Sequence, residues 1–168
     1  MSNCDVIVRV EAQAGFFHLF CLTKYAAIKS ERWDGRDMNK FVEPWQFCPG
    51  CQQYYQNELA IDIATKFVRF VRRQYPCDTL RQVEALNRKL RAFNSMLERL
   101  TAEQKREAGV TANVMLSLID RIMKEISPPL PRRYSQMKAD AYNVHGRIAF
   151  NEGTEESARR AALHLRIN

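Results

Sequence analysis

Two pairs of zinc-type donors stand in the N-terminal third of this chain. They are His18 with Cys21, and Cys48 with Cys51, with 26 residues between the pairs. Two residues intervene within each pair, so both donors fall on one turn and can share an ion. Tetrahedral zinc takes four such ligands, and one His with three Cys is a known set. Two other readings compete for the same residues. In one, a buried His and incidental cysteines are ordinary structure. In the other, Cys48-Pro49-Gly50-Cys51 is a redox dithiol whose thiol pKa is lowered at a helix start. That site needs a strand–helix–strand frame, and the helical periodicity after Tyr54 offers no such sheet. Cys4 has no partner at fixed spacing, and Cys77 reads as structural between two helices.

Other chemistry finds little support. The chain has no Gly-rich phosphate loop, no nucleophile elbow and no His-Glu-x2-His. His145 and His164 lie among helical residues with no carboxylate at a fixed spacing. The net charge is +7, and its placement is uneven. Residues 1–52 hold six Lys/Arg and six Asp/Glu, so the excess lies in residues 53–168. The pairs Arg72-Arg73, Lys105-Arg106 and Arg132-Arg133 are spread over several helices and interleaved with acids. That pattern reads as a solvated face rather than a nucleic-acid stripe. No run reaches the roughly 18 apolar residues of a membrane span, and the start lacks a basic signal-peptide region. Together with five cysteines and no leader, this predicts a cytoplasmic or nuclear protein.

The elements that position the donors follow from periodicity. Alternation at Val6–Glu11 predicts a strand, and Phe16–Phe20 a returning one. Leu22–Lys29 reads as a short helix and Arg36–Lys40 as a polar loop. A helix is predicted over Tyr54–Tyr75, ended by Pro76, with Asp78 capping the next. Leu80, Val83, Leu86, Leu90, Phe93 and Leu97 form one apolar stripe, with Lys89 on the opposite face. Thr101 and Gln104 make a capping box. A third helix buries Met115, Leu118, Ile119, Ile122, Met123 and Ile126. Ser127–Pro131 is a stiff linker. A fourth helix, Ser135–Asn151, turns Met137, Ala141, Val144 and Ile148 inward. Thr154 caps a fifth. Helices joined this closely must pack as antiparallel neighbours. The last is still amphipathic at Asn168, so the array reads as truncated.

Several of these residues resemble a known family. The run Ala14-Gly15-Phe16-Phe17-His18-Leu19-Phe20-Cys21-Leu22, with Pro44-Trp45-x2-Cys48-Pro49-x-Cys51, resembles the second half of a RING-CH (RING-variant) zinc finger. Asn57-Glu58-Leu59, Gln104–Val114 and Ala141–Ala149 resemble proteins that join such a finger to tetratricopeptide-like helical repeats. The resemblance implies a partial finger over residues 1–52 and a helical-repeat region over residues 53–168, mainly α throughout. In such a finger eight ligands hold two ions in a cross-brace. The nearer upstream ligand positions fall here on Val8 and Val10. The chain therefore keeps half of each site, and either the four survivors share at most one zinc or the finger binds none.

The family's apolar patch for a ubiquitin-conjugating enzyme maps onto Leu22, Trp45 and Pro49. Gln52 stands where some members carry an activating basic residue. Gly146, Ala149, Gly153 and Ala158 match the small positions at which repeat helices cross closely. These features predict a protein-interaction adaptor or scaffold that takes a protein or peptide in a helical groove. The alternative is a zinc-binding ubiquitin-ligase component; no other enzymatic activity is expected.

Overall fold

The computed structural model describes residues 7–10, 15–33, 37–125 and 132–152, with the backbone alone for 7–10, 15–17, 151 and 152. The chain is mainly α and falls into two compact units, Met1–Pro76 and Cys77–Asn168. The change in charge and cysteine content near residue 52 is not where packing divides. The helix that follows it closes the core of the first unit. Cys4, Ile126, Gly153, Thr154, Ala158 and the expected fifth helix lie outside the described residues.

In the first unit, β1 (Ile7–Val10) and β2 (Gly15–His18) pair antiparallel, with Val8 opposite Phe17. The chain then enters α1 (Leu19–Glu31), which buries Leu22, Ala26 and Ser30. The segment expected as a polar loop instead contains α2 (Met38–Val42). Asp37 caps it by accepting from the Asn39 N–H at 2.9 Å, and Phe41 and Val42 are fully buried. Two buried apolar side chains outweigh the polar letters around them, since each contributes about 1.5–3 kcal/mol.

A 3-10 turn, Glu43–Trp45, leads from α2 to the cysteine turn. The third helix, α3 (Asn57–Gln74), starts three residues later than expected. Its Ile63, Phe67, Phe70 and Val71 share one face and are all buried. Trp45 stacks on Phe67 at 4.9 Å and lies 5.2 Å from Phe70, and Phe41 meets Phe67 at 5.8 Å. The Trp45 indole N–H donates to the Ser30 hydroxyl at 2.9 Å, and that hydroxyl donates to the Phe41 carbonyl at 2.9 Å. One buried serine thus joins α1, α2 and the 3-10 turn.

The second unit holds α4 (Thr79–Ser95), α5 (Ala102–Glu125) and α6 (Arg132–Glu152). Asp78 caps α4 by accepting from the Arg81 N–H. Thr101 and Gln104 form the reciprocal capping box, at 2.9 and 3.2 Å. Contacts show the antiparallel order. Arg121 reaches Thr79, and Lys89 pairs with Glu107, so α5 runs back along α4. Lys138 pairs with Asp120, so α6 reverses again. The core is Val83, Leu86, Leu90, Phe93, Met115, Ile119, Ile122, Met137, Ala141 and Val144. Leu118 and Ile148 are half-buried, and Met123, expected inside, is exposed.

A ladder of ion pairs joins α4 and the turn after it to the parallel α6. Arg133 meets Glu84 at 2.5 Å, Arg91 meets Asp140 at 3.2 Å, and Arg147 meets Glu98 at 3.9 Å. Each rung steps seven residues along both segments, with the sign alternating, so a shift of one rung would face like charges. The rungs differ in weight. Glu84 is only 3% exposed, whereas the Glu98 pair lies in solvent and contributes little.

Gly146 does not serve a close crossing. A Cβ there would meet nothing within 4 Å. Gly146→Ala is therefore expected to stabilise the second unit by about 0.5–1 kcal/mol, through helix propensity alone. Thermal unfolding followed by circular dichroism would read this, and a loss of stability would restore the close-crossing role.

Candidate functional site

The cysteine pair sits on a tight hairpin. Phe47 and Tyr54 form an antiparallel bridge, and their rings lie 4.2 Å apart. Inside that bridge the Cys48 N–H donates to the Gln53 carbonyl, and the Gln52 N–H to the Cys48 carbonyl, both at 2.9 Å. Closing so short a loop puts Gln52 at φ 58°, in the left-handed region. That conformation costs a residue with a Cβ about 1–2 kcal/mol. The Gln52 side chain offsets part of this by donating to the Pro49 carbonyl at 3.1 Å. Cys48 is buried and Cys51 half-buried.

The other pair is placed differently. His18 is the residue before α1, and Cys21 lies in its first turn; both are exposed. Among the described residues, no group of three or more His, Cys, Asp or Glu side chains gathers where it could hold a metal. The four expected ligands, His18, Cys21, Cys48 and Cys51, are not brought together in such a group. Leu22 and Trp45 are 1% and 5% exposed, so they hold the core. Of the three positions matched to a partner patch, only Pro49 lines an open surface.

Tyr55 follows the hairpin. Its hydroxyl is buried and has no hydrogen-bond partner among the described residues. Burial pushes its pKa up, with the nearby Cys48, Tyr25 and Cys51 adding to the shift. An unsatisfied buried hydroxyl destabilises a fold. Tyr55→Phe is therefore expected to leave stability unchanged or raise it by about 1 kcal/mol. If the thiols instead held a metal, the hydroxyl would support them, and the same change would weaken metal binding about 10–100-fold. Urea unfolding with and without added zinc separates the two.

Beside the cysteine turn, the first unit carries an open cleft of about 360 Å³. Its rings come from Tyr25, Trp33 and Phe47, and its remaining apolar surface from Pro44 and Pro49. Its charges are Lys29, Arg32, Lys40 and Glu43. Lys29 and Arg32 belong to the end of α1, and Lys40 to the end of α2, where helix termini favour cations. The cleft was not foreseen. Its residues lie on four segments, and its only sequence signal is the basic endings of two short helices around an aromatic run. No described helix is long and apolar enough to cross a membrane.

Comparison of the chain with protein-family models, with curated proteins and with solved structures finds no match.

Proposed function

We propose that this chain is a protein-interaction adaptor, with a degenerate RING-CH-like finger as a structural support, followed along the chain by tetratricopeptide-like helices. The observation that carries this reading is the cleft beside the cysteine turn. It offers flat rings, prolines and charged groups at one surface, with neither cysteine nor histidine among the described residues that line it. Such a mixture of apolar body and a few polar groups suits recognition of a peptide. The second unit supplies further surface, since Val110 on α5 and Phe150 on α6 are 62% and 76% exposed.

The finger remnant has a structural role in this account. Phe41, Trp45, Phe67 and Phe70 pack into one buried aromatic core, and in this reading that core, rather than zinc, closes the unit. The ligase alternative asks Leu22 and Trp45 to meet a conjugating enzyme, and both are buried.

Two assays test the proposal. A peptide array probed with the full chain should yield binders that slow amide exchange around α1, α2 and residues 46–53. A conjugating enzyme charged with ubiquitin should keep its thioester when the chain is added. Thioester discharge would establish the ligase alternative. An array without binders would refute the adaptor reading.

A further inference from the structure

We infer that the cleft of the first unit takes an acidic peptide segment carrying an aromatic or proline residue. The inference rests on the adaptor reading and names its partner's chemistry. Lys29, Arg32 and Lys40 converge on the cleft, and none forms an ion pair with another described residue. Cations such as Arg72 and Lys105 likewise form no ion pair with a described residue, but these three share one cleft. Three such cations against one carboxylate give the described lining of this cleft an excess of two positive charges. That excess is complementary to carboxylates on a ligand and would steer their approach.

The rings set the rest of the ligand. Tyr25 is 38% exposed, and the Lys29 ammonium already lies 5.8 Å from its ring centroid. Trp33 and Phe47 are half-buried, so their faces are held in place. A flat or cyclic side chain can stack there while flanking carboxylates reach the cations. A nucleic acid fits less well. Glu43 is exposed at the same cleft, and its carboxylate would face a phosphate backbone that has no N–H groups to offer it. A peptide backbone does have them. The two prolines also suit a peptide groove.

The test uses the full chain and three labelled probes in fluorescence anisotropy. One is a short peptide of alternating Glu and Asp around Phe and Pro. The second replaces each carboxylate by its amide. The third is a single-stranded oligonucleotide of equal charge. The acidic peptide should bind at least about tenfold more tightly than its amide analogue, and more weakly as salt rises. Lys29→Glu and Lys40→Glu should each weaken it about fivefold or more, while Arg106→Glu, an equal charge loss in the other unit, should change it less than about twofold. Circular dichroism would confirm that each variant is folded.

Equal binding of acid and amide peptides, unmoved by Lys40→Glu, would overturn the inference and leave the adaptor reading with another recognition chemistry. An oligonucleotide that binds more tightly than the peptide, and is lost in Lys40→Glu, would overturn both. So would the absence of binding by either peptide together with an empty peptide array. An equal loss in Arg106→Glu would show attraction to net charge alone and overturn the inference.

Discussion

Trp45→Ala is expected to lower the stability of the first unit by about 3–5 kcal/mol, the cost of removing a large buried aromatic side chain. Trp45 is 5% exposed, stacked on Phe67 and set against Phe70. Its removal opens a cavity where α1, the 3-10 turn and α3 meet. It also takes away the N–H that the Ser30 hydroxyl accepts, although that hydroxyl can still donate to Phe41. Trp45→Phe should cost less, because it keeps most of the ring volume and loses chiefly the hydrogen bond, worth about 0.5–1.5 kcal/mol. The readout is urea unfolding followed by the emission of Trp33, which lies in the same unit. If Trp45→Ala cost no more than a surface change, with the unit still folded, the aromatic core would not be what closes it.

The second large effect lies in the helical unit. Leu90→Ala should cost about 2–5 kcal/mol, because Leu90 sits 1% exposed in the middle of α4 and the loss leaves a cavity. Its neighbour is a sharper case. Lys89, read from the sequence as facing solvent, is 8% exposed. Its ammonium pairs with Glu107 at 2.5 Å and lies 5.6 Å from the Phe93 ring centroid. Lys89→Ala is therefore expected to cost about 1–2 kcal/mol, from lost packing of the stem as well as the pair. Lys89→Met should recover much of it by restoring the stem. Circular dichroism melts of the three variants would rank them, and a neutral Lys89→Ala would return that residue to the solvent face.

The contrast between these two residues shows what the sequence carries. Leu90 belongs to a stripe of leucines at helical spacing, and a stripe of that kind names its own buried face. Lys89 is buried because α4 is covered by both α5 and α6. That widens the covered arc beyond the stripe, and periodicity of one helix does not report how many neighbours it has. The caps at Asp78 and Thr101 were legible because a cap is a local contract between side chain and backbone. The helix α2 was not, since its stability comes from Phe41 and Val42 entering a core built by distant segments. The charge ladder was legible in principle: Glu84, Arg91 and Glu98 step by seven, as do Arg133, Asp140 and Arg147, with opposite signs. Reading basic pairs as blocks hid that period.

At the candidate site, spacing identified donor pairs but could not say whether the pairs meet. Cys48 and Cys51 share a hairpin whose geometry follows from four residues. Bringing His18 and Cys21 to them depends on how α1 packs, and that is set by Leu22, Ser30 and Trp45 rather than by the donors.

We propose that the first unit closes on its aromatic core rather than on metal. Both tryptophans of the chain, Trp33 and Trp45, lie in that unit, so tryptophan emission reports its unfolding alone. The direct measurement is a thermal melt by tryptophan fluorescence under reducing conditions, run with a strong chelator and again with one equivalent of zinc. The account predicts one cooperative transition at the same temperature in both. Loss of the transition in chelator and its return with zinc, with the ion retained through dialysis, would contradict it.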